Sequence, residues 1–123
     1  MTAKRIIIPQ SAGELSMYRA AVPTALARRL VEDEIAARKP GQACIAVDGM
    51  DPAPGFIESL EAGNTQLFAK AACPGTSAWD VDVHDYRTDG TGTGTVQLVL
   101  DGDDSRSVEV EREGALWRIL RVR

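Results

Sequence analysis

The sequence predicts an α+β fold with an N-terminal helix, a short second helix and a curved antiparallel sheet that ends in a four-stranded meander. Between Glu14 and Arg38 the apolar residues recur at spacings of three and four, which is typical of an amphipathic helix. From Trp79 to Val122 apolar and polar residues alternate, and turn sequences rich in glycine and aspartate interrupt the alternation. A curved sheet with helices on one face is the architecture that buries both patterns.

The N-terminal helix is predicted over residues 14–38. The residues that share its apolar face are Leu15, Tyr18, Val22, Leu26 and Leu30. Ser11 is the expected N-cap, because Glu14 three residues later completes a capping box. Pro23 lies inside the run, and a proline both lacks a backbone N–H and clashes with the preceding turn. We therefore expect a kink at Pro23 or a break into two helices.

A strand, a short helix and a second strand are predicted to follow. Residues 43–47 form a short apolar run, which is typical of a buried strand. Asp51 is suited to cap the next helix, and Pro52 is suited to its first position, where the missing N–H costs nothing. This helix extends to about Leu60, and residues 66–72 form the next strand.

The four strands of the predicted meander are separated by tight-turn sequences in which glycine or aspartate can adopt a positive φ. These strands cover residues 79–87, 95–100, 107–111 and 115–122. Since antiparallel neighbours need only short turns, each strand is expected to pair with the next one along the chain.

Length, composition and charge narrow the class of protein. The chain has 123 residues, 44% of them hydrophobic and 26% charged, and its formal net charge is −4. This length predicts one domain over residues 1–123. A nucleic-acid binder is disfavoured, because the chain lacks the cationic surface that phosphate contacts need. No apolar run approaches the ~20 residues of a transmembrane helix.

Cys44 and Cys73 leave two interpretations open. In the first, which we favour, both are reduced and buried apolar side chains. In the second they form a disulfide, which requires an oxidising compartment and the removal of a leader. Without a CxxC motif, and with one histidine, a structural zinc site is disfavoured. The apolar stretch at residues 6–8 is too short for an export signal. We therefore expect a cytoplasmic protein, or a periplasmic or secreted one if the disulfide forms.

The best candidate site consists of Asp80, Asp82 and His84. Alternate positions of a strand point to one face, with neighbours about 6.5–7 Å apart. Carboxylate and imidazole groups suit a divalent metal or an acid–base pair. Val81 and Val83 on the opposite face are the better core candidates, so the trio is expected to face solvent. We assign no catalytic residue, no cofactor-binding residue and no metal ligand.

The sequence resembles two groups of known proteins. The order of helix, strand, helix and antiparallel strands is similar to the cone-shaped α+β fold of the NTF2-like superfamily. Residues 111–119 resemble the last hairpin of many of its bacterial members, in which a glycine turn precedes a tryptophan. Residues 44–49, with Asp51-Pro52 and Cys73, resemble small bacterial proteins of unassigned function. Enzymes of the NTF2-like superfamily place acids and aromatic residues inside the cone, and no such inward pair is evident here.

The sequence therefore predicts a domain without enzymatic activity that binds a protein or a small ligand. We expect it to form a homodimer, because a four-stranded sheet has both an edge and an outer face to cover. The alternative is an NTF2-like pocket that binds a small molecule or catalyses acid–base chemistry. In that case His84 would act with Asp80, Asp82 or Asp85, and it would have to line a concave cavity. No cofactor is expected in either case.

Overall fold

The structure is a computed structural model that describes residues 17–75, 78–102 and 104–123. Within these residues it contains two α-helices and a mixed seven-stranded sheet, so the predicted α+β class is confirmed. The elements are, in chain order, β1 (Tyr18–Ala20), α1 (Thr24–Arg38), β2 (Gln42–Val47), α2 (Pro54–Ser59), β3 (Gln66–Ala69), a 3₁₀-helix (Lys70–Ala72), β4 (Trp79–Thr88), β5 (Thr93–Leu100), β6 (Asp104–Glu113) and β7 (Leu116–Val122).

The strands lie in the order β3-β2-β4-β5-β6-β7, and β1 pairs with β4 as well. Strands β4 to β7 pair antiparallel with their chain neighbours, which confirms the predicted meander. The prediction of an antiparallel sheet is wrong at the other end, where β2 runs parallel to both β3 and β4. Parallel neighbours need a crossover, and α2 lies in the crossover between β2 and β3.

Of the helix predicted over residues 14–38, the described part from residue 17 onward is helical only over Thr24–Arg38. β1 precedes it and pairs antiparallel with the end of β4. Pro23 is extended, with φ −61° and ψ 138°, and its carbonyl accepts a hydrogen bond of 2.9 Å from the amide of Ala27. A proline costs no hydrogen bond at a helix start, so Pro23 separates a strand from a helix and does not kink one. The predicted cap, Ser11 and Glu14, lies outside the described residues.

The core lies between α1 and one face of the sheet, which we call the inner face. The buried residues of α1 are Leu26, Ala27, Leu30, Val31 and Ile35. The buried residues of β4, β5 and β6 that pack in the same cluster include Val81, Val83, Val96, Leu98, Leu100, Val108 and Val110. Because strand side chains alternate between faces, Asp80, Asp82 and His84 lie on the opposite, outer face, as predicted.

Candidate binding cleft

One edge of β4 is shared by two strands that separate from each other. β2 pairs with residues 79–83 of β4, and β1 pairs with residues 86–88. Between these two stretches lie His84 and Asp85, and no described strand pairs with them on this side. A cleft of about 650 Å³, which we call the β4 cleft, opens at this point. Its lining residues are Arg19, Ala20, Ala21, Asp48, Gly49, Asp82, His84 and Asp85.

A β-bulge in β4 brings Asp85 into this cleft. The register between β4 and β5 shifts after His84, and Asp85 has a φ of +53°. A bulge adds one residue to a strand and changes the face to which the next side chains point. Tyr86 is consequently buried, with its ring 6.1 Å from that of Trp117, while Asp85 stays beside His84.

The end of β2 supplies the opposite wall. The amide of Asp48 donates a 2.8 Å hydrogen bond to the carbonyl of Val83, which holds the chain against β4 as β2 ends. Asp48 and Gly49 then turn away with φ of +55° and +75°. Ligand sites in sheets with parallel strands commonly lie at the carboxyl ends of those strands, where the chain leaves the sheet.

Backbone amides fix two of the three carboxylates in the cleft. Oδ2 of Asp48 accepts a 3.2 Å hydrogen bond from the amide of Val22, and Oδ1 of Asp82 accepts one of 3.3 Å from the amide of Gly49. Among the described residues, none donates to the second oxygen of either aspartate. These two oxygens are therefore acceptors that the fold has positioned without a donor from the described part of the chain.

The third carboxylate is neutralised within the protein. Oδ1 of Asp85 lies 3.2 Å from Nη2 of Arg19 and 3.1 Å from Nε of Arg87. Asp48 and Asp82 carry two negative charges, and Asp85 with its two arginines carries one net positive charge, so one net negative charge remains overall. The cleft therefore favours a positively charged ligand.

The sequence-predicted trio is divided between two places on the outer face. Asp82 and His84 line the β4 cleft, and Asp80 lines a neighbouring cavity of about 290 Å³ together with Cys44 and Lys70. Asp82 lies between the two and lines both of them. None of the three faces the core between α1 and the sheet. The sequence did not indicate that Asp48 or Arg19 contributes, because each reaches the site only through the separation of β1 from β2.

The β4 cleft does not bring metal ligands together. A metal site needs several histidine, cysteine or acidic ligand atoms close together. In the part of the chain that the structure describes, one group of three such residues has its ligand atoms within 4.8 Å of one another. This group consists of Cys44, Cys73 and Asp80. Residues of the β4 cleft are not in that group. The imidazole of His84 has no hydrogen-bond partner among the described residues, so no His–Asp pair is assembled there.

A disulfide joins Cys44 on β2 to Cys73, which directly follows the 3₁₀-helix. The two Cα atoms are 5.6 Å apart, a usual separation for this bond. Cys44 is 3% exposed, and Cys73 is half-buried. The structure thus contains the disulfide and neither of the two free thiols that we favoured from the sequence. No helix in the described ranges is long and apolar enough to cross a membrane.

Two ionisable groups outside the cleft have shifted pKa values. The hydroxyl and then the amide of Thr91 donate to the carboxylate of Asp89, and they lower the pKa of Asp89 from its ordinary value of 3.8. On β7 the hydrogen bond from Arg118 to Glu111, aided by the charge of Glu113, raises the pKa of Arg118. Asp89 lies in the turn between β4 and β5, and Arg118 joins β7 to β6 through Glu111.

Protein-family models, curated proteins and solved structures were compared with the chain. None of them matches it. The similarity to NTF2-like domains therefore stays a prediction that rests on the order of elements and on residues 111–119.

Proposed function

We propose that this domain functions by binding a positively charged group, an ammonium or a guanidinium, in the β4 cleft, and that it is not an enzyme. The observation that carries the proposal is the pair Asp48 and Asp82. Each has one carboxylate oxygen fixed by a backbone amide and a second one free of described donors. Preorganised acceptors cost little entropy when they bind, because their side chains are already ordered.

An organic cation suits the cleft better than a metal ion does. The acidic and imidazole atoms lining the cleft form no group of three within 4.8 Å in the described chain, which a compact coordination sphere needs. A volume of about 650 Å³ instead accommodates a ligand that donates several separated hydrogen bonds. Lysine and arginine side chains of a partner protein and small polyamines share this chemistry.

Acid–base catalysis by His84 stays the alternative. The observation in its favour is that His84 lies in the same cleft as Asp82 and Asp85. The two functions differ in what they require of the imidazole. Replacing His84→Asn removes a general base but leaves the carboxylates, so cation binding is expected to persist within about twofold. Loss of binding in this variant would favour a direct role of the imidazole.

Isothermal titration calorimetry with spermidine tests the proposal. The full chain is expected to bind one spermidine at low ionic strength and to bind it more weakly as salt is added. Asp82→Asn keeps the acceptor for the Gly49 amide and removes only the charge, so affinity should fall about two- to fivefold. Asp33→Asn removes the same charge from the exposed side of α1 and serves as the control. Equal affinities of Asp82→Asn and the unmodified protein would overturn the proposal, as would the absence of binding.

A titration with a trilysine peptide distinguishes a cationic side chain of a partner protein from a small cationic ligand. Tighter binding of the peptide than of spermidine would indicate a protein partner that inserts a basic side chain. Tighter binding of spermidine would indicate a small-molecule ligand. In both cases the loss in Asp82→Asn is expected to be the same, because both ligands meet the same carboxylate.

We also propose that a second copy of the chain pairs with β7. No described strand covers the outer edge of β7, and its side chains Leu116, Leu120 and Val122 are 72%, 49% and 51% exposed. A strand with an uncovered edge is a template for pairing with another chain. The disulfide supports an oxidising compartment, periplasmic or extracellular, as the place where this domain acts.

A further inference from the structure

Cys44, Cys73 and Asp80 form a second cluster on the outer face, which we call the sulfur–carboxylate cluster. The two Sγ atoms and a carboxylate oxygen all lie within 4.8 Å of one another, and Sγ of Cys73 is 4.0 Å from Oδ1 of Asp80. The three residues of the cluster are distinct from those of the proposed cation site, since neither cysteine nor Asp80 lines the β4 cleft, and Asp82 lies between the two places. Two sulfurs and one carboxylate are three of the four ligands of a tetrahedral zinc site.

The fold holds two of these three side chains without the disulfide. Cys44 on β2 is the direct register partner of Asp80 on β4, because the two parallel strands pair residue by residue from Ala43 onward. Paired residues of neighbouring strands lie about 5 Å apart and point to the same face. Breaking the disulfide leaves this pairing unchanged.

Hydrogen bonds of the 3₁₀-helix position the third side chain of the cluster, that of Cys73. The amide of Ala71 donates a 2.8 Å hydrogen bond to Oδ1 of Asp51, and Nζ of Lys70 donates one of 3.2 Å to the carbonyl of Gly49. Both contacts anchor the segment that ends at Cys73, and neither involves a sulfur. Cys73 therefore stays close to Cys44 when the two are reduced.

We propose that the reduced protein binds one Zn²⁺ through the thiolates of Cys44 and Cys73 and the carboxylate of Asp80. With zinc–sulfur bonds of about 2.3 Å and a zinc–oxygen bond of about 2.0 Å, the ligand atoms of a tetrahedral site are about 3.5–3.8 Å apart. The 4.0 Å between Cys73 and Asp80 is already near this distance. The two sulfurs have to separate, and loss of their bond allows that.

The redox step uses a dithiol as the reductant. A dithiol transfers two electrons and two protons to the Cys44–Cys73 disulfide, which becomes two thiols, while the dithiol becomes a disulfide. Zn²⁺ then displaces the two thiol protons and binds the two thiolates. The oxidised protein has no thiolate to offer, so the disulfide excludes the metal.

The surroundings supply the remaining requirements of the site. A cavity of about 290 Å³ opens beside Cys44 and Asp80 and gives water access to the fourth position. Two thiolates and a carboxylate leave a charge of −1 around a divalent ion, and Lys70 lines the same cavity with a positive charge. Cys73 is half-buried, so a dithiol reaches its sulfur.

Titration with Co²⁺ tests this site, because cobalt replaces zinc and its bonds to thiolates absorb light. The full chain is reduced with a phosphine under anaerobic conditions and titrated in parallel with oxidised protein. The reduced protein is expected to bind one Co²⁺ with a thiolate-to-metal band that added Zn²⁺ removes. The oxidised protein is expected to show no band.

Matched variants identify the third ligand. Asp80→Asn is expected to weaken Co²⁺ binding at least about tenfold, since even residues behind the ligands cost that much in metal sites. Asp101→Asn is the control, because its amide donates to the carbonyl of Asp80 and its side chain is outside the cluster. A loss of affinity in Asp101→Asn as large as in Asp80→Asn would overturn the assignment of Asp80.

Folding is followed by circular dichroism in the same titration, so that the result does not depend on whether reduction loosens the chain. If the reduced protein unfolds in part, Co²⁺ is expected to restore the oxidised spectrum with the same stoichiometry, because metal binding then drives folding. The absence of a thiolate band in reduced protein, folded or not, would overturn the proposal. So would a stoichiometry of one metal to two chains.

Discussion

Reduction of the Cys44–Cys73 disulfide is expected to destabilise the fold strongly without unfolding it at 25 °C. The bond joins β2 to the segment after β3 and closes a loop with a sequence separation of 29. In the chain-entropy account a cross-link acts mainly on the unfolded state, which it prevents from sampling open conformations of that loop. The hydrogen bonds of Lys70 and Ala71 involve no sulfur, so we expect the folded state to keep them when the disulfide is reduced.

The size of the effect follows from the loop length. A loop of this length corresponds to about 3.6 kcal/mol of unfolding free energy at 25 °C. Unfolding of a chain of 123 residues carries an entropy of about 0.26 kcal/mol per kelvin. The loss therefore lowers the Tm by about 14 °C. Since small domains are stable by about 5–15 kcal/mol, the reduced protein is expected to remain folded at room temperature.

Calorimetry on oxidised and reduced protein measures this difference with no change of sequence. A chelator must be present, because zinc bound to the reduced cysteines would raise the Tm again. The variant Cys44→Ala/Cys73→Ala separates the cross-link from packing, as it also removes the sulfur of the buried Cys44. If the Tm fell by less than about 4 °C while two free thiols were counted per chain, the reasoning would be refuted. The cross-link would then contribute about 1 kcal/mol or less to the free energy of unfolding.

Three further predictions concern the sheet. Gly94→Ala places a Cβ 2.4 Å from the carbonyl oxygen of Arg87 on the paired strand, so the free energy of unfolding measured in urea should fall by about 3 kcal/mol. The control is Gly55→Ala, whose Cβ meets nothing within 4 Å and should cause no such decrease. The lowered pKa of Asp89 means that its charge stabilises the folded state above pH about 4, and that this stabilisation is lost as the pH falls through the lowered pKa. Thr91→Ala removes the hydroxyl that donates to Asp89, so it should reduce the dependence of the urea midpoint on pH. An unchanged pH profile in this variant would contradict the assignment. Sedimentation equilibrium at high protein concentration should give the mass of a dimer, and a purely monomeric mass would contradict pairing through β7.

Side-chain periodicity explains what the sequence predicted correctly. The alternation of Val81 and Val83 with Asp80, Asp82 and His84 assigned the two faces of β4, because a strand has a period of two. The turns of the meander followed from their glycines and aspartates. These signals are local, and each depends on residues that are close in sequence.

The sequence-based predictions were wrong where contacts between distant parts of the chain determine the structure. Tyr18 fits the spacing of the α1 stripe, yet it belongs to β1, because pairing with β4 supplies the hydrogen bonds and Pro23 separates the two elements. No periodicity indicated that β2 is parallel to its neighbours. For the same reason the meeting of Asp48 with Asp82, and of Cys44 with Cys73, required the folded chain.

The amide of Gly49 provides the most direct test of the cation cleft, because it donates to Asp82 and therefore reports on the carboxylate that we place against the ligand. Its resonance can be followed by NMR during a titration with spermidine, together with that of Val22, whose amide donates to Asp48. We predict saturable shifts of both amides in the unmodified protein, and a weaker response at the same spermidine concentrations in Asp82→Asn. Shifts that saturate elsewhere on the sheet while these two amides stay unchanged would contradict the proposed function.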